Sequence, residues 1–284
     1  PFMQPYMGLG NSLQTAQGGA GATVGGWVEL ARTTLGSGST TLDVSSLPDK
    51  RYYMLLTNTF AGKRWTEARC TFNNDTGTNY SNRQSQNGGV DSTQINTSNM
   101  MTDGWQDSVP KFHVGYIANI ASKEKLFINH MVHQNTAGAG TAPQRLEGTS
   151  KWANTANSIS SLKYTTTDIG GDDIGSGSEC VVLGWDPADT HTTNFWEDLG
   201  TFTNGTTTTD LTITSKKYLW IQGYTKGNGD GTGWRPAIKV GNTTISSADY
   251  ANRESINGGA DGTYTSQGNM PITSGGDTVG TFFN

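Results

Sequence analysis

The twelve residues YSNRQSQNGGVD at 80–91 return as YANRESINGGAD at 250–261, with eight positions identical. Repetition at a fixed spacing constrains a fold strongly, because each copy must solve the same packing problem. A catalytic constellation is seldom written twice along one chain, whereas a structural module often is.

The match extends well beyond this phrase. GWVELARTTL around Trp27 is similar to FWEDLGTFTN around Trp196, and TTLDVSS around Leu42 to TDLTITS around Leu211, both 169 residues apart. KRYYMLL at 50–56 answers KKYLWIQ at 216–222 after a small deletion, which a longer glycine-rich turn, KGNGDGTG, compensates before Trp65 meets Trp234 and Ala68 meets Ala237. Asn99-Met100 matches Asn269-Met270, and Phe112 matches Phe282. The expected organisation is a glycine-rich N-terminal docking arm at 1–26, a first module at 27–195 and a second at 196–284. The first copy continues past Phe112 for roughly 80 more residues, while the second reaches Asn284 soon after Phe282. The second module is therefore expected to be truncated, shortened, or completed by another segment or chain.

Local pattern points to strands throughout. WVELART alternates, and YYMLLTN and SECVVLGW are short apolar runs of β-formers. KFHVGYIANI and EKLFINHMVHQ flank the turn ASKE as a hairpin. DLTITS and KKYLWIQGY repeat the theme in the second copy. Between them lie NGG, GSGS, GGDD and GNGDG, which are turn chemistry. With 38 Gly and only 15% charged residues in 284, the composition suits short strands joined by tight turns. The fold class expected is all-β: tandem antiparallel β-sandwiches, jelly-roll-like, the second incomplete.

Within the repeated phrase, strand alternation places Tyr80 and Asn82 on one face and Arg83 and Ser85 on the other. Asn87-Gly88 is a type I′ turn signal, since both central residues of that turn need positive φ. Asp91 follows, within reach of Arg83. The second copy repeats the set as Tyr250, Asn252, Arg253, Asn257 and Asp261. The reading is a structural hairpin pinned by an Arg–Asp pair, with repeated sugar or partner contact as the sharper alternative and a metal site as the remaining one.

Other chemistry finds little support. A net charge of −5 without a basic run argues against nucleic acid, and no apolar run approaches membrane-spanning length. The first ten residues lack the sections of a secretory signal, and a start at Pro1 fits removal of an initiator Met. Cys70 and Cys180 are expected as buried free thiols. His130 and His133 lie three apart and face opposite sides of a strand, a poor metal pair; His113 and His191 are isolated. Asp172, Asp173 and Asp230 sit in glycine-rich turns that fit no calcium loop. Glu197 and Asp198 are adjacent and define no glycosidase pair. No nucleophile elbow or phosphate loop is present, so neither catalytic residues nor a cofactor are expected.

Taken together, GWVELARTTL, LDVSSLPDKRYYMLL, FNNDTGTNYSNRQSQNGGVD, EKLFINHMVHQNTAGAGTAPQR, KWANTANSI and VVLGWDP resemble β-sandwich modules of virion structural proteins from marine tailed phages and archaeal viruses. The resemblance covers most of the chain from Trp27 to Asn284. It implies a non-enzymatic tail, fibre, spike or capsid-surface (decoration) component, assembled in the host cytoplasm into the virion. Its partners would be other virion proteins and copies of itself in a homo-oligomer. The alternative is a carbohydrate- or receptor-binding adhesion module on a virion or cell surface, for which Trp105, Trp152 or Trp234 would serve as exposed platforms on a host glycan.

Overall fold

The computed structural model describes residues 26–60, 68–102, 109–134, 136–166, 174–191, 193–201, 203, 211–226, 237–238, 248–255, 259–271 and 280–283. Among the described residues twelve strands precede residue 186: β1 (Val28–Thr34), β2 (Thr41–Val44), β3 (Tyr52–Phe60), β4 (Ala68–Phe72), β5 (Tyr80–Gln86), β6 (Ser92–Thr97), β7 (Met100–Met101), β8 (Pro110–Ala118), β9 (Lys125–His133), β10 (Gln144–Trp152), β11 (Leu162–Thr166) and β12 (Glu179–Trp185). They form an eight-stranded sheet, β1-β12-β3-β8-β9-β10-β5-β6, and a four-stranded sheet, β2-β11-β4-β7. The ladders within these two sheets are antiparallel. The described residues contain no helix, and the all-β sandwich expected from the sequence is what forms.

The core lies between the sheets. Tyr53, Leu55, Ile117, Phe127, Trp152, Cys180 and Val182 from the large sheet meet Leu42, Val44, Cys70, Phe72, Met100, Leu162 and Tyr164 from the small one. Trp152 stacks on Tyr80 with ring centroids 6.4 Å apart and meets Phe72 edge-on at 5.9 Å. The other face of β3 and β12 is also buried: Met54, Leu56, Val181 and Leu183 pack under Trp27, Phe112, Val114, Phe195, Trp196, Tyr218 and Trp220. Burial on both faces is why these two strands read as continuous apolar runs rather than alternating ones.

Among the described residues the second copy contributes three ribbons: β13 (Gly223–Lys226) with β18 (Gly280–Phe283), β14 (Ala237–Ile238) with β17 (Met270–Pro271), and β15 (Tyr250–Glu254) with β16 (Gly262–Gln267). The registers of the β15–β16 and β13–β18 ribbons repeat those of the first copy. Tyr250↔Gln267, Asn252↔Tyr264, Arg253↔Thr263 and Glu254↔Gly262 are Tyr80↔Thr97, Asn82↔Gln94, Arg83↔Thr93 and Gln84↔Ser92 moved by 170 residues, including the bulge after the tyrosine. The bulged partner strand turns at Asn96 (φ 53°) and at its counterpart Ser266 (φ 50°). Gly223↔Phe283 corresponds to Thr57↔His113 once the deletion before Lys216 is counted. The β14–β17 ribbon joins the same two elements as β4–β7, one residue out of the sequence alignment.

One expectation fails. DLTITS and most of KKYLWIQGY were expected as strands, yet residues 211–222 form none. In the first copy β2 is laddered on β11 and β3 on β12. Those two partners come from 162–185 and occur once in the sequence. An extended segment without a ladder leaves its amides to water and is not a strand, whatever its side chains prefer.

Candidate functional site

The candidate site is built from the repeated hairpin. In the first copy, Tyr80 and Asn82 turn inward and Arg83 outward, as alternation requires. The Tyr80 ring is in the core, where its hydroxyl accepts from Phe72 N (3.1 Å) and donates to Asp75 O (3.2 Å). Asn82 Nδ2 donates to Asn99 O at 3.2 Å. These two are therefore packing residues. Asn87 (φ 52°) and Gly88 (φ 71°) form the expected type I′ turn, closed by Gly89 N donating to Gln86 O at 2.9 Å. Arg83 reaches Asp91 at 3.2 Å, with the two side chains 60% and 50% exposed.

The second copy uses the same parts differently. Ser255 Oγ donates to Gly259 O (2.7 Å) just as Ser85 Oγ does to Gly89 O (2.8 Å). Tyr250 and Asn252 are only half-buried, in contrast to Tyr80 and Asn82. Asn257 lies outside the described residues. Arg253 Nε donates to Pro143 O at 2.8 Å, and its Nη1 lies 3.6 Å from Asp261. Asp261 has a further partner that the sequence did not reveal. Arg145, at the start of β10, grips it in a fork: Nε to Oδ2 at 3.0 Å and Nη2 to Oδ1 at 2.7 Å. The Asp261 side chain is left 3% exposed. Hydrogen bonds from Arg145 hold its carboxyl below the usual range, and the Asp261 bond raises the guanidinium in turn.

The first-copy turn is part of this seat. Asn87 exchanges backbone and side-chain bonds with Arg145 (Asn87 N to Arg145 O, 3.0 Å; Arg145 N to Asn87 Oδ1, 3.1 Å). A Cβ on Gly88 would lie 2.5 Å from Asp261 Oδ1. Ser266 N also donates to Ala139 O at 2.7 Å. The second hairpin is thus docked on the strand end and turn of the first unit. A second fastening is Glu179, at the head of β12. It accepts from Arg32 (2.9 Å), Thr34 (2.8 Å), Tyr218 (2.9 Å) and Lys217 (3.0 Å). Burial works to raise this carboxyl, but the bonds from Thr34, Lys217 and Tyr218 and the Arg32 charge outweigh it and hold it at about 2.

Strand β9, expected as one arm of a hairpin, has a distribution of side chains between its two faces that the sequence reading did not single out. Its inward side chains are Lys125, Phe127, Asn129, Met131 and His133; its outward ones are Leu126, Ile128, His130 and Val132. His130 and His133 do face opposite sides. The outward aliphatics are 55%, 47% and 41% exposed, beside an exposed Tyr116 on β8. Inward, Lys125 is capped by the carbonyls of Lys123 and Asn154. Asn129 lies between Gly115 and Gly148, fully buried, and neither atom of its amide has a partner. His113 bonds Tyr164 Oη at 3.1 Å, and burial pushes it down to about 3. Burial likewise pushes His133 down to about 4. Both rings are neutral at physiological pH.

Cys70 and Cys180 are free, buried thiols, pushed up by burial, Cys180 to about 12. His191 bonds Gly26 O at 3.0 Å. Glu197 pairs with Lys216 at 2.6 Å and Asp198 caps Gly200 N. Trp152, expected as an exposed platform, is instead a core residue whose Nε1 donates to Asp75 at 2.7 Å. Trp105, Trp234, Asp172, Asp173, Asp230 and the arm up to residue 25 lie outside the described residues. Among the described residues no cluster of His, Cys, Asp and Glu could hold a metal, and no helix is long and apolar enough to cross a membrane.

No protein-family model, curated protein or solved structure matches the chain.

Proposed function

We propose that this chain is a non-enzymatic structural subunit of a virion, a tail, fibre, spike or capsid-surface part, built from tandem jelly-roll-like modules. The observation that carries the assembly role is β9. A strand in the middle of an eight-stranded sheet presents Leu126, Ile128 and Val132 to solvent while burying Lys125, Asn129 and His133. An aliphatic row on an outer face is a feature of sheets covered by something else. Here the row continues the cluster around Met54 and Leu56, which the chain's own Trp196, Tyr218 and Trp220 already cover. Copies of the same chain, stacked on this face, supply the missing cover in this reading, and the resemblance of the sequence to virion modules supplies the setting.

The test is the mass of the wild-type chain by sedimentation. A closed oligomer is expected, and Ile128→Lys on the outer face should shift it to monomer. A strictly monomeric wild type, or release of reducing ends from a host polysaccharide, would overturn the reading.

A further inference from the structure

The contact between the two copies is heterologous: different surfaces meet. One side, the donor, is Arg145 on β10 beside the Asn87–Gly88 turn; the other, the acceptor, is the Arg253–Asp261 hairpin. A heterologous contact uses one donor and one acceptor, so each copy that makes it can leave the other kind of surface for a further neighbour, in a ring or a filament. The acceptor exists twice in this chain. The Arg83–Asp91 hairpin has the same register, the same bulge and the same serine-to-glycine bond across its turn. Yet Asp91 is half-exposed, with Arg83 as its ion-pair partner, where Asp261 is sealed by a forked guanidinium.

We propose that the Arg83–Asp91 hairpin is an acceptor for a second copy of this chain, taking the strand end that carries Arg145 in the geometry that Asp261 takes it here. This deepens the assembly reading and rests on it. Charge and shape set the specificity: the planar guanidinium fork pairs bidentately with an oxyanion such as a carboxylate, which the hairpin presents at Asp91. Within one chain Asp261 holds the donor at high effective concentration. Contact between chains therefore requires Arg145 to be released from it, and the hairpin at 250–267 acts as an internal competitor for assembly at Asp91.

The experiment uses the full chain, with the outer-face contact removed by Ile128→Lys throughout. Asp261→Asn frees the donor. Concentration-dependent association is then expected by sedimentation, weakened by salt, and weakened at least about tenfold more when Asp91→Asn is added. A charge swap separates this from misfolding. One chain carries Asp261→Asn with Arg145→Glu, and another Asp261→Asn with Asp91→Arg. Each alone pairs like charges and should stay monomeric; mixed, they should associate. Either an Asp261→Asn chain that stays monomeric, or association that persists unchanged with Asp91→Asn, or a mixture no heavier than its parts overturns the proposal. The mass of the wild-type oligomer judges the assembly reading independently of these outcomes.

Discussion

Leu55 and Ile221 occupy the same place in the repeat, as do Leu42 and Leu211, yet the first of each pair is 0% exposed while Ile221 and Leu211 are 44% and 42% exposed. The side chains are equally apolar, so composition is not the cause. Leu55 sits on β3 between β12 and β8 and faces the small sheet; Leu42 sits on β2 against β11. The second copy has the counterpart of β8 in β18, and no counterpart of β11 or β12 among the described residues. A repeat position becomes a core position only when its neighbours on the ladder and across the sandwich are also present.

The largest expected effect tests this contrast directly. Leu55→Ala should cost about 2–5 kcal/mol of unfolding free energy, the usual range for emptying a close-packed leucine site. Ile221→Ala, at the equivalent place, should cost less than about 1 kcal/mol, as for a side chain that remains largely in water. Urea unfolding of both variants gives the comparison, and equal losses would show that residues 211–222 share a closed core.

How much of this was legible follows from what the pattern depends on. Strand identity in 27–185 could be read because alternation and turn chemistry are local: the Asn87–Gly88 turn, the β8–β9 hairpin and the opposite faces of His130 and His133 all formed as expected. The registers of 250–254 and 262–267 were legible because the copy at 80–97 shares half of its residues, the Asn-Gly-Gly turn and the Arg and Asp that flank it among them. What failed was whatever depended on a partner distant in sequence. Residues 211–222 have strand chemistry without a ladder. Trp152 is a core residue because Tyr80 and Phe72 close over it, a fact no local window contains. Arg145 gave no motif at all: its partner lies 116 residues away, and the duplicated phrase was read as the same Arg–Asp hairpin in both copies.

A second contrast is in titration. His113 is replaced in the second copy by Phe283, so this histidine's titration belongs to the first unit alone. Burial and the His130 charge hold His113 at about 3, against about 6.5 in an unfolded chain. Between those values the unfolded state binds more protons, so the contribution is full above about pH 6.5 and is lost as pH falls toward the folded value. The loss should reach about 3 kcal/mol near pH 4, with His133 adding in the same window and Glu179 below about pH 4.5. His113→Phe should flatten the dependence of Tm on pH across this window. An unchanged slope would place the titration elsewhere.

The two arginine–aspartate pairs provide the third. Arg145→Ala leaves Asp261 in its nearly closed seat with only the longer contact to Arg253, and should cost about 2–3 kcal/mol in the local stability of the second hairpin. Arg83→Ala removes an exposed pair and should cost under about 1 kcal/mol. Hydrogen exchange of the amides at 250–267 reads the first effect, and exchange at 80–97 the second. Comparable protection losses at the two sites would erase the distinction between a docked hairpin and an open one.

The smallest effect is a coupling across the seat. Gly88 is held at φ 71°, and a Cβ there would also stand 2.5 Å from Asp261 Oδ1. Gly88→Ala therefore carries two costs: about 1 kcal/mol for left-handed backbone at a residue with a side chain, and a steric cost that exists only while the second hairpin is docked. The first belongs to the turn of the first copy and the second to the contact between copies. In an Asp261→Ala background the steric part has nothing to strike, and only the backbone part remains. A double-mutant cycle should return about 0.5–1 kcal/mol of coupling between positions 88 and 261, measured by urea unfolding of the four chains. Zero coupling would mean that the hairpin yields to the added methyl without loss, and that Gly88 serves its own turn and not the seat of Asp261.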